Sequence, residues 1–419
     1  MGTFLRQHLD AVALWVVVPV LCVVVALALA YLRSRWLERR RLRPKGVRAR
    51  QDVIRHDRDR LAEYLGALSD SDPPVWQPAE FGLAAMAACQ WDQAIAYFRQ
   101  ARTEATRAQL VPLCNQIGVC RYIRGHLDDA LKDFEESAEL ARQYGDEQGR
   151  APALGNIGVI HHDYGELGSA LRQLSEALAI VRAHGDRRAA APYLRNIGNV
   201  HRDMGELDKA LEYCREALEI SRSIGDNSGT ASDLASIASI YRDKDQLDQA
   251  LRHYEEALAL SRETGDRWGM ASSLGNIGSV HRYRGELYEA LMFYEDALAL
   301  ARESGYQVGV ATELGNIGLI LAEKGLTVQA VRTLAESLTI LQGVGVARGP
   351  RQALSGLSAC DDRLGRERMQ ELLKQAGLAD GSITDLLDRI DQLRMTRPRQ
   401  RGRRRVRFAL RRAVAGASS

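Results

Sequence analysis

Amides, cations and imidazoles recur in rows along this 419-residue chain, and the rows are where chemistry would first be sought. Asn156, Asn196, Asn276 and Asn316 stand 40 or 80 residues apart. An amide donates and accepts at once, so a row of amides can satisfy the main-chain groups of an extended peptide whatever its side chains. A second row, His162, Arg202, Arg242 and Arg282, keeps the 40-residue step. Its guanidinium groups would favour carboxylates or phosphates. A third row, His161, His201 and His281, has acid–base or metal-ligating residue types, but Tyr241 takes the same place in another unit. That is the behaviour of a packing position, because a metal needs ligands converging within one unit.

Other features argue against catalysis. The six cysteines, Cys22, Cys89, Cys114, Cys120, Cys214 and Cys360, show neither pairing nor metal-ligand spacing, which fits a reducing compartment. Gly343, Gly345 and Gly349 resemble a phosphate-cradling loop, but Gly345 and Gly349 are Gly305 and Gly309 one period on, and no strand precedes them. There is no nucleophile–base pair, HExxH or P-loop motif. The expectation is a chain that is not an enzyme, with no cofactor, metal site or small-molecule substrate.

The rows exist because a whole stretch repeats. Ile117, Ile157, Ile197, Ile237, Ile277 and Ile317 follow one another at 40 residues without a slip, as do Ala130, Ala170, Ala210, Ala250, Ala290 and Ala330. Inside one unit Leu194, Ile197, His201 and Met204 lie at helical spacing, and after Gly205 so do Leu207, Ala210, Leu211, Cys214, Ala217 and Leu218. Each unit therefore reads as a helical hairpin. One hairpin cannot cover its own apolar face, so neighbours stack into a solenoid. Gly145-Asp146, Gly185-Asp186, Gly225-Asp226 and Gly265-Asp266 supply a left-handed stop and the cap of the next helix. Pro112, Pro152 and Pro192 share one register position, where the helix either starts late or bends.

These residues resemble the tetratricopeptide repeats. Asn196, Ile197, Gly198, Gly205, Ala210 and Ala217 sit at the spacings of that signature, and Phe98, Phe134, Tyr254 and Tyr294 fill its aromatic position, over about residues 75–345. The 40-residue length is similar to kinesin light chains, spindle-orientation adaptors and bacterial scaffold arrays. Cys214, Leu174 and Leu334 depart from the aromatic, and Asp245 from the turn glycine. The resemblance implies an all-α, right-handed solenoid whose first helices line a concave side, where an asparagine ladder holds an extended peptide. Gln116 and Ser236 interrupt that ladder. With the cations expected on the same side, the implied ligand is an extended, acidic segment of a partner protein.

The ends differ from the array. Residues 1–10 form a short extracytoplasmic N-terminus, and residues 11–32 carry no charge and are long enough for a transmembrane anchor. The rival reading is a cleaved signal peptide, which would make the protein periplasmic or secreted. Arg39, Arg40, Arg41 and Arg43 follow at once, so the positive-inside rule places the array in the cytoplasm of a single-pass cell-membrane protein. Residues 33–72 read as a basic juxtamembrane segment and stalk helix, 73–345 as seven hairpins, and 346–392 as a degenerate cap and final helix.

Residues 393–419 hold ten arginines, Arg403, Arg404 and Arg405 among them, and no acid. Val406, Leu410 and Ala413 make a helical stripe there, which suits a membrane surface. Nucleic acid, free solvation and folding back on the acidic array are the alternatives. The functional expectation is a membrane-anchored scaffold that recruits a protein partner in its groove. The alternative is a regulatory or assembly subunit of a membrane complex, acting through the convex face.

Overall fold

The computed structural model of the chain describes residues 73–395, apart from 89, 305–306 and 344–350. The anchor at 11–32, the stalk, Arg39, Arg40, Arg41, Arg43 and the tail with Arg403, Arg404 and Arg405 lie outside the described residues. No helix among the described residues is long and apolar enough to cross a membrane.

Seventeen α-helices and no strand make up the described residues. They pair as hairpins: α1 (Pro73–Ala87) with α2 (Trp91–Glu104), α3 (Arg107–Ile123) with α4 (Leu127–Tyr144), and α5 (Glu147–Tyr164) with α6 (Leu167–Ala183). Next come α7 (Arg187–Met204) with α8 (Leu207–Ser223), α9 (Asn227–Asp243) with α10 (Leu247–Glu263), and α11 (Arg267–Arg284) with α12 (Leu287–Glu303). The seventh hairpin joins α13 (Gln307–Glu323) to α14 (Thr327–Gly343), followed by α15 (Arg351–Leu364), α16 (Arg366–Gln375) and α17 (Asp380–Met395).

Local chemistry sets the ends of these helices. Asp146, Asp186 and Asp226 accept hydrogen bonds from the backbone N–H groups of Gly149, Ala189 and Gly229 at 2.8 Å, filling donors that a helix start leaves open. Gly205 closes α7 at φ 85°, a conformation that costs a glycine nothing. At the equivalent turn Asp245 adopts φ 65°, the only non-glycine with positive φ among the described residues. The prolines do not delay their helices: α3, α5 and α7 each begin five residues before Pro112, Pro152 or Pro192.

Within a hairpin, a small residue on the first helix receives the side chain at the aromatic position of the second. Gly118 lies against the ring of Phe134, Gly158 against Leu174, Gly198 against Cys214, Gly278 against Tyr294 and Gly318 against Leu334. The residues that depart from the aromatic type thus fill the same slot. Between hairpins the seam is continuous: Leu211 and Cys214 of α8 pack with Leu234 and Ile237 of α9 and Tyr254 of α10. Each fully buried Leu or Ile of this seam contributes about 1.5–3 kcal/mol. The first helices of successive hairpins α3, α5, α7, α9, α11 and α13 lie against one another, whereas the second helices mainly touch the first helices beside them. The closer spacing makes the first helices the inner layer of the array.

Candidate functional site

On that inner layer the asparagine row occupies one register position, and its members are not equivalent. Asn156 is buried and donates through Nδ2 to Asn115 Oδ1 at 3.1 Å, bridging α5 to α3. Asn316 is buried and donates to Glu313 Oε2 at 3.0 Å. Asn276 is half-buried and donates to the carbonyl of Ser272 on its own helix at 2.7 Å. Asn196 is half-buried with no hydrogen-bond partner among the described residues. Asn156 and Asn316 are therefore held by the array, while Asn196 and the remaining hydrogen-bonding capacity of Asn276 stay partly exposed. Ser236, the shorter member of the row, is fully buried.

The cation row is occupied from within. His162 Nε2 stands 3.0 Å from Asp203 Oδ2 on the next first helix. Arg202 reaches Asp203 Oδ1 at 3.3 Å and lies 3.7 Å from Asp243 Oδ2. Arg242 stands 3.5 Å from Asp243 Oδ1, with its guanidinium carbon 5.9 Å from the centre of the Tyr283 ring. Arg282 meets Glu323 at 2.5 Å. The side chains of Arg202 and Arg242 are only 15% and 14% exposed, so little of their charge reaches a ligand. An acidic segment drawn to these cations would therefore compete with carboxylates of the array itself.

What the sequence reading passed over is the register position next to the cation row, which is acidic in four hairpins. Asp163, Asp203, Asp243 and Glu323 complete an inner ladder in which Tyr122 also donates to Asp163 at 2.8 Å. The signal was present in the pairs His162-Asp163, Arg202-Asp203 and Arg242-Asp243, but the partner lies 41 residues away, and that offset appears only once hairpins are stacked. Asn115 was missed for the same reason.

The third row closes hairpin turns. His161, His201 and His281 reach Glu166, Glu206 and Glu286 at 2.7, 2.8 and 2.6 Å, and the rings of His201 and His281 stack on Tyr213 and Phe293. Among the described residues no group of His, Cys, Asp and Glu is placed to hold a metal ion.

The sequence model of the tetratricopeptide repeat matches residues 109–183, 188–263 and 269–367. The chain belongs to the tetratricopeptide repeat family. Solved structures share its fold at low identity. A Rap conjugation gene regulator of the plasmid pLS20, in complex with the Phr* peptide, aligns at 17% identity with a TM-score of 0.53, over 65% of this chain and 74% of that one. A Rap protein complexed with competence and sporulation factor aligns at 14% and 0.51, over 76% and 98%. The apo form of RapI aligns at 14% and 0.52, over 65% and 98%. A search of curated proteins finds no match.

Proposed function

We propose that this tetratricopeptide array is a scaffold that holds an extended segment of a partner protein against its inner layer, through the main chain of that segment. The observation that carries the reading is the pair of amides left available at one register position, Asn196 on α7 and Asn276 on α11, 80 residues apart. An amide donates and accepts together, so each can bond the main chain of a peptide whatever its side chains. The neighbour in complex with the Phr* peptide supports the reading as a fold of this kind able to hold a peptide. The pairing of Arg202, Arg242 and Arg282 makes acidity of the ligand a secondary matter. Residues 11–32, with Arg39, Arg40, Arg41 and Arg43, would hold the array at a membrane surface, raising its effective concentration there.

Proximity labelling in cells tests this, with Asn196→Ala and Asn276→Ala combined. The expected result is loss of the partner set with unchanged thermal unfolding. Asn156→Ala should instead lower stability, because it removes a bond between hairpins. An unaltered partner set in the double variant would sink the groove reading. Mass spectrometry of the mature N-terminus tests the anchor, and a chain beginning after residue 30 would overturn it.

A further inference from the structure

Along the turn edge of the array one pairing recurs. The residue closing a first helix meets the second residue of the previous hairpin's second helix. Tyr164 bonds Asp128, Lys244 pairs with Asp208 at 2.7 Å, and Arg284 pairs with Asp248. The carboxylate is gone where Gly168 and Tyr288 stand in its place. Lys324 Nζ lies 3.6 Å from the centre of the Tyr288 ring. Tyr288 is 70% exposed, Met292 one turn further along α12 is 66% exposed, and on the next hairpin Leu326 and Val328 are 45% and 38% exposed. At the register of Met292 the other hairpins carry Lys132, Arg172, Glu212, Arg252 and Arg332. Exposed apolar side chains at positions mostly charged in the other hairpins mark a contact surface.

The described chain ends close to it. Arg394, at the end of α17, pairs with Asp361 at 2.8 Å and Asp362 at 2.5 Å on the last turn of α15. Arg363, beside them, donates to the carbonyl of Ala322 at 2.6 Å, next to the turn that carries Leu326. Met395 is 85% exposed, so the described chain ends at the same edge, one hairpin beyond the apolar face. Hairpins stack roughly 10 Å apart, and the ten residues from 396 to 405 span up to about 35 Å when extended. Val406, Phe408 and Leu410 can reach the face. Residues 396–419 contain nine arginines and no acid. Carboxylates along the edge complement them: Glu289 is exposed, Glu286, paired with His281, keeps a side chain 41% exposed, and Asp248, paired with Arg284, keeps one 89% exposed.

We propose that the face of Tyr288, Met292, Leu326 and Val328 is the docking surface for the chain's own C-terminal segment, with Val406, Phe408 and Leu410 on the apolar side chains and its arginines against Glu286, Glu289 and Asp248. Tethering makes the contact intramolecular, so a small interface suffices. The inference is independent of the groove.

The test uses the full chain in cells with the photo-reactive residue benzoylphenylalanine placed by Met292→benzoylphenylalanine. Irradiation should give an adduct at monomer mass that maps to residues 396–419. Phe408→Asp together with Leu410→Asp should reduce it about tenfold, the equivalent of 1.4 kcal/mol, without moving thermal unfolding. An adduct at dimer mass, to another protein or to lipid in place of the tail would overturn the proposal. So would the absence of any tail adduct.

Discussion

Glu313 shows how much one missing partner changes a residue. Two hairpins earlier, at the same register, Asp233 is fully buried and receives Arg195 at 2.8 Å and the Ser221 hydroxyl at 2.7 Å. At the place equivalent to Arg195 stands Gly275, so Glu313 meets no cation there and has only the amide of Asn316. Burial therefore pushes its carboxyl up to about 7 from the ordinary 4.5. Asp133 moves the same way, to about 6, because burial outweighs the nearby Arg121. A carboxyl whose folded value lies above its unfolded value favours the native state at low pH. Its contribution falls as pH climbs from about 4.5 and is fully lost above about 7. Urea unfolding should show the array less stable at pH 8 than at pH 5, with Glu313 accounting for on the order of 3 kcal/mol. Glu313→Gln should remove most of that difference, and an unchanged pH dependence in the variant would refute the assignment. None of this was legible in the sequence, because the opposition of positions 275 and 313 arises from stacking.

Between helices, the fit inside each hairpin depends on a vacancy meeting a volume. A Cβ on Gly198 would lie 2.5 Å from Cys214 Sγ and 3.1 Å from the carbonyl of Ala210, whereas one on Gly315 would find only Ser337 Oγ at 3.5 Å. Gly198→Ala should therefore cost about 1–3 kcal/mol from overpacking, although alanine is the better helix former. Gly315→Ala has room and should be neutral or stabilising by up to about 1 kcal/mol. Adding Cys214→Ala to Gly198→Ala should recover much of the loss. A double-mutant cycle by chemical denaturation with no coupling between positions 198 and 214 would contradict the interlock. At this scale the sequence was informative. The unbroken step of Ile117 to Ile317 and Ala130 to Ala330 located the hairpins, and the Gly-Asp pairs located their junctions, because period and capping are local properties. The amide row was equally visible. Its unequal members were not, since whether Asn156 is held and Asn196 is available depends on which residue the neighbouring helix presents.

Across the array, charge serves cohesion. Inner rungs join residues 41 apart, as in Arg282 with Glu323, and turn-edge rungs join residues 36 apart, as in Lys244 with Asp208. A third series joins second helices 34 apart: Arg182 with Glu216 at 2.5 Å, Arg222 with Glu256 at 2.6 Å and Arg302 with Glu336 at 3.3 Å. The exposed outer pairs contribute little individually. The buried pair Arg195–Asp233 is different, because it spans the interface of the fourth and fifth hairpins with both side chains nearly inaccessible. Arg195→Ala would strand a buried carboxylate at a cost of about 3–5 kcal/mol. In a stack where each unit holds only its neighbours, loss of that interface should split denaturant unfolding into two steps detectable by circular dichroism. A single transition with an unmoved midpoint would contradict it.

Those fixed offsets also bear on how such a chain can change length. If a block of one full period is copied or excised, the offsets of 41, 36 and 34 residues are kept, every capping aspartate still precedes its helix and every slot still meets a filler. Gain or loss of a unit therefore leaves the bonding rules intact, and recombination alone can lengthen or shorten the inner layer.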